Sequence, residues 1–128
     1  MKTKYAVPLA VVLGFGLGAV AIEGLHAQAK PPVYVVTEID VTNLDAYVKE
    51  YAPKAQALIK KSGGRLLAAG QKVTAFEGAP PKKRVAVQVW DSLEQVQAYR
   101  NSAEFKEVRK TGDKYAKFRS FAIEGLPQ

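Results

Sequence analysis

Apolar and polar positions change rhythm several times along the 128 residues of this chain. VYVVTEIDV, Val33 to Val41, is rich in β-branched residues and predicts a strand. From Leu44 onward the period lengthens. Leu44, Tyr47, Val48, Tyr51, Ala55, Leu58 and Ile59 recur at the three- and four-residue spacing of an amphipathic helix. Thr42 or Asn43 is placed to cap its start, and Gly63-Gly64 ends it. Pro53 lies inside this pattern and lacks a backbone N–H. A kink is expected there, or two shorter helices with Pro53 early in the second.

Arg65 to Phe76 reads as a second strand, loosened near Gly70 by a bulge, and EGAPPKK, residues 77–83, as a turn or loop. Arg84 to Trp90 alternates strictly, with Val85, Val87 and Val89 on one side and Arg84, Ala86, Gln88 and Trp90 on the other. Ser92 to Gln95 fits a capping box, so a helix begins there. Asn101-Ser102 divides it from another helix covering Ala103 to about Tyr115, and Phe118 to Leu126 reads as a final strand. The order β-α-β-β-α-β predicts an α+β fold of ferredoxin-like form, with an antiparallel sheet. Helices then cover one sheet face. The uncovered face is expected to hold Tyr34, Val36, Glu38, Asp40, Gln88, Trp90, Ser120, Ala122 and Glu124. Pairing two such faces across a two-fold axis gives a homodimer.

The residues before Val33 change how much of the chain does the work. Lys2 and Lys4 precede a run without charge, Tyr5 to Ile22, and Ala27-Gln28-Ala29 presents small residues where a signal peptidase reads. The expectation is a signal peptide over residues 1–29, cleavage after Ala29, and a periplasmic or secreted domain over residues 30–128. Pro8, Gly14, Gly16 and Gly18 argue against a stable membrane-spanning helix, so no lasting membrane insertion is expected after the leader is removed.

Cleavage removes His26, the only histidine, and Met1. The mature chain then has no His and no Cys. That excludes ordinary zinc, copper and haem-iron ligand sets, and Ser-His-Asp or Cys-His relays. No metal and no cofactor is expected. Removing Lys2, Lys4 and Glu23 from totals of 19 basic and 12 acidic residues leaves 17 and 11. The balance is basic, but the aromatics do not interleave with the basic runs, so a nucleic-acid partner is not expected. A solvated face, or contact with anionic envelope surfaces, fits the lysines instead.

Three stretches carry a resemblance: YAPKAQALIKKSGGRLLAAG, FEGAPPKKRVAVQVWDSLEQVQAY and SAEFKEVRKTGDKYAKFRSFAIEG. With the Gly63-Gly64-Arg65 turn, Glu77-Gly78, Asp91-Ser92 with Glu94, and Glu124-Gly125, they resemble the domain of unknown function 1330 family. That resemblance implies a branch of the dimeric α+β barrel superfamily, in which two sheets pair into a barrel. The family's Arg-Gly-Gly stretch is replaced here by Ala69-Gly70-Gln71. It implies no particular activity, and the haem-degrading relatives of such barrels rely on a histidine that the mature chain lacks.

Candidate chemistry therefore rests on carboxylates and aromatics. Glu38 and Asp40, two apart on one strand face, can share a proton or pair with basic residues at a dimer surface. Glu38 and Glu124 are the catalytic candidates. Tyr34, Asp40, Tyr47, Tyr51, Arg65, Gln88 and Trp90 are the ligand-binding candidates, although Tyr47 and Tyr51 also suit a core and Trp90 suits a dimer seam. Arg109 and Asp113 have the spacing of a surface helix pair. Three functions remain open. They are a small-molecule pocket on the open sheet face with cofactor-free catalysis, a non-catalytic dimeric module, and a basic envelope-associated protein.

Overall fold

A computed structural model describes residues 30–127; the expected leader, its cleavage site and His26 lie outside the described residues. β1 (Val33–Val41) is followed by a short α1 (Leu44–Ala46), a π-helical turn (Tyr47–Tyr51) and α2 (Ala52–Lys61). Then come β2 (Arg65–Gly70), β3 (Arg84–Trp90), α3 (Leu93–Asn101), α4 (Ala103–Asp113) and β4 (Ala116–Glu124). The sheet order is β2-β3-β1-β4 with every neighbouring pair antiparallel, the ferredoxin-like topology that the element order predicts.

Local chemistry sets the helix ends. Asn43 caps α1 by accepting a hydrogen bond from the Ala46 N–H at 3.2 Å. Ser92 accepts from the Gln95 N–H to start α3, and Ser102 accepts from the Phe105 N–H to start α4, both at 3.1 Å. Pro53 is resolved as the sequence allows: it sits in the first turn of α2, where a missing N–H is harmless. The residue before it, Ala52, donates to the Tyr47 carbonyl and so closes one wide π turn. Gly63 takes a φ of 103° in the turn that follows, a conformation that glycine adopts without strain.

Two strand boundaries differ from expectation. β2 stops at Gly70, not Phe76, and its bulge falls between Leu66 and Ala68. β4 begins at Ala116 and ends at Glu124.

The larger correction concerns the faces. Directly paired residues share a face, and Val35 pairs with Gln88 and Val33 with Trp90. Val33, Val35, Thr37 and Ile39 are all buried under the helices, so Gln88 and Trp90 are there too, not on the open face. By the same rule Ser120, Ala122 and Glu124, which pair with Thr37, Val35 and Val33, have the helix-side parity, with Glu124 exposed at the strand end. The three valines of β3 resemble a core stripe in the sequence, yet they face away from the helices. Trp90, only 1% exposed, decides the matter. Its ring lies against the backbone of Gly64, where an added Cβ would come within 2.5 Å. The open face instead carries Tyr34, Val36, Val85, Val87, Val89, Phe121 and Ile123, with Glu38, Asp40, Arg65, Lys117 and Arg119 among them.

Candidate functional site

The sheet separates the sequence-predicted candidates into two groups. On the open face, Glu38 accepts a hydrogen bond from Arg119 at 2.8 Å, and Asp40 stands directly opposite Lys117. Glu38 therefore answers a cation rather than sharing a proton with Asp40. Tyr34 packs half-buried near Gly125, and Arg65 is exposed opposite Val89. Gln88 and Trp90 lie behind the sheet, so one chain cannot gather them with Glu38 around a single ligand.

Behind the sheet the arrangement is denser. Tyr47 and Tyr51, both buried, project from the π turn with ring centroids 5.2 Å apart. They line a cavity of about 50 Å³ between helices and sheet, together with Arg84, Gln88, Tyr99 and Arg109. Arg109 Nε donates to the Tyr51 hydroxyl oxygen at 3.2 Å, leaving the Tyr51 O–H proton available to another acceptor. The Arg109 guanidinium is held over the Phe118 ring at 3.8 Å and over Phe105 at 4.8 Å. Arg84 lies over the Tyr47 ring at 5.3 Å. Gln88 accepts from the Trp90 indole N–H at 2.8 Å, so its amide NH₂ is what remains for the cavity. Gly112 makes the packing possible: a Cβ there would meet the Tyr51 ring at 2.6 Å.

The electrostatics keep this set donating. Burial pushes Tyr99 up to about 12, with Tyr51 adding to it. Burial also raises Tyr47; Tyr51 pushes the same way, and the nearby Arg84 pulls back. Near neutral pH both phenols stay protonated. No carboxylate lines the cavity among the described residues. Phenol O–H, amide N–H and guanidinium N–H groups thus converge without an anionic partner, an arrangement suited to an incoming oxygen anion. Among the described residues no group of three or more His, Cys, Asp or Glu is placed to hold a metal ion.

Tyr47, Tyr51 and Gln88 were legible as polar candidates, but Arg84, Tyr99 and Arg109 were missed. Instead of pairing with Asp113 on the surface as its spacing suggests, Arg109 turns inward to Tyr51 and the rings. Its spacing from Phe105 and Gly112, both buried, was the available signal. Arg84 shares its strand parity with Trp90, which would have placed it behind the sheet once that side was known.

Residues 32–126 match the family described as "Domain of unknown function (DUF1330)". No curated protein matches the chain. Among solved structures, a protein of unknown function from Rhodopseudomonas palustris is 12% identical, with 84% of this chain and 94% of that chain covered at a TM-score of 0.62. SnoaB, a cofactor-independent oxygenase from Streptomyces nogalater, is 11% identical over 77% of this chain and 96% of its own, with a TM-score of 0.57. A dimeric protein of unknown function and ferredoxin-like fold from Bacteroides fragilis is 15% identical over 73% and 95%, with a TM-score of 0.53. At these identities the likeness is one of fold.

Proposed function

The chain belongs to the DUF1330 family, and from that premise we propose that it is an exported, homodimeric α+β barrel protein that binds a small organic molecule bearing an anionic oxygen, in the cavity between helices and sheet. The observation that carries this reading is the cavity lining: two guanidiniums, three phenols and the amides of Gln56 and Gln88, with no carboxylate among the described residues. Burial strengthens each such donor toward an anion, because little water competes for it. This moves the binding site from the open sheet face to the other side of the sheet.

The open face is then the surface for a second copy. Its apolar strip of Tyr34, Val36, three valines, Phe121 and Ile123 is left uncovered by the single helix layer; Phe121 is 44% and Ile123 62% exposed. The fold neighbour from Bacteroides fragilis is itself dimeric, which supports a dimer here. Export rests on the leader pattern alone, and intact mass of the envelope form should correspond to a chain starting at Lys30; a species retaining Met1 refutes it.

A donor-lined pocket also stabilises an enolate oxygen during a reaction, without a cofactor. SnoaB, whose fold this chain shares, is a cofactor-independent oxygenase, which supports cofactor-free chemistry as the extension of this reading. Glu38 lies across the sheet from the cavity and has no part in it.

The test is a nuclear magnetic resonance titration with butyrate on the full exported chain. The ring signals of Tyr47, Tyr51 and Tyr99 should shift in a saturable way. Arg109→Leu should weaken binding roughly ten- to a hundredfold, the worth of a charge-assisted hydrogen bond. Butyramide, neutral and of the same shape, should bind far more weakly. Equal shifts from butyrate and butyramide, or an unaffected Arg109→Leu variant, would overturn the proposal.

A further inference from the structure

The cavity shares two lining residues with a second space. β2 ends at Gly70, opposite Val85, so Arg84 at the start of β3 has no β2 partner beside it. Beside that strand end lies an outer groove of about 710 Å³, and Ala69 and Arg84 line both the groove and the inner cavity. The groove walls are mostly apolar: Leu44 and Val48 from the first helical segment, Val73 from the loop after β2, and Val85 and Val87 from β3, with Gln71, Lys72 and Arg84 as the polar members. Leu44, Val48 and Val73 are each 40% exposed or more, so this surface is left to water in the single chain.

The two spaces differ in size and in chemistry. About 50 Å³ holds one or two water-sized groups, which admits a carboxylate but not a ring. The outer space lies within the range of about 300–1,000 Å³ typical of pockets that enclose an organic ligand. Donors line the small inner space, mostly apolar walls the large outer one, and the Arg84 side chain belongs to both.

We infer that the ligand is an amphipathic monocarboxylate, its carboxylate held among Tyr51, Arg109 and Gln88 and its alkyl chain laid in the groove past Arg84. This rests on the anion-binding reading above and narrows it to a ligand class. Charge complementarity selects the acid over the alcohol, and the groove selects a chain over a short acid. Val85 and Val87 also belong to the open face, so the tail runs where the second copy closes over the sheet.

The experiment is a calorimetric titration of the full exported chain, in its native oligomer, with butyrate, octanoate and octanol. Octanoate should bind tighter than butyrate by about two orders of magnitude, since each buried methylene contributes a factor of roughly three to four. Octanol should bind at least tenfold more weakly than octanoate. Val48→Asp, at a position half open to solvent, should remove most of the octanoate advantage. If butyrate binds and octanoate binds no tighter, the groove is filled by something else, such as the second copy, and this inference falls while the anion site stands. Octanol matching octanoate also overturns it. If butyrate itself fails to bind, the underlying reading of the cavity is what fails.

Discussion

Trp90 separates a core role from a seam role. It is the only tryptophan, it is 1% exposed, and it packs against Tyr99 at 4.7 Å and the Gly64 backbone. Removing about 200 Å² of indole from water at about 25 cal/mol per Å² is worth about 5 kcal/mol. Measured losses for such truncations are about 3–5 kcal/mol. Truncation also strands the Gln88 carbonyl oxygen, which accepts the indole N–H at 2.8 Å, adding about 1–3 kcal/mol. A domain of this size is stable by about 5–15 kcal/mol. Trp90→Ala is therefore expected to fold poorly or not at all. Trp90→Phe keeps the ring and should lose about 1–3 kcal/mol, chiefly from the stranded oxygen and the missing part of the ring. Adding Gln88→Leu to Trp90→Phe should recover part of that loss, because neither polar partner is then left unpaired. Urea unfolding followed by circular dichroism, repeated across protein concentrations, reads all of this. A Trp90→Phe protein with an unchanged unfolding midpoint and a weakened dimer would refute the core assignment and restore the seam.

Phe121→Asp, on the open face and 44% exposed, should leave the monomer folded and shift the protein from dimer to monomer in sedimentation at micromolar concentration; an unchanged dimer refutes pairing through this face. Gly112→Ala gains some helix propensity but drives a methyl into the Tyr51 ring, so it should destabilise by about 1–2 kcal/mol and weaken butyrate binding. Native stability with native butyrate affinity would show that Tyr51 is not held by that contact. Because the folded-state value of Tyr99 is raised to about 12 from an ordinary 10, the folded chain holds this proton more tightly than the unfolded chain. The associated stability is complete below pH 10 and disappears as pH rises from 10 through 12. Tyrosinate absorbance should keep a component that ionises well above pH 10, together with a falling urea midpoint over the same range; complete ionisation by about pH 11 with an unchanged midpoint contradicts it.

Several features of this fold are local, and the chain alone determined them. Ser92 and Ser102 cap helices because a hydroxyl needs to reach only three residues along. Pro53 broke the first helical pattern where its missing N–H required, and the β-α-β-β-α-β order followed from periodicity and punctuation. The face each strand turns inward is not local. A period of two says which residues travel together, not which side they take, and the three valines of β3 competed with Gln88 and Trp90 for the inside. Pairing to β1 and the fit of Trp90 onto Gly64 settled that competition. The same choice carried Arg84 inward and left Glu38 with Arg119 on the far side. Arg109 reached Tyr51 across 58 positions of sequence, a contact that exists only because α4 packs beside the π turn. The donor-lined cavity thus belongs to the tertiary structure: each of its residues is an ordinary polar position in the chain, and only the register of the sheet and the packing of helices onto it bring them to one place.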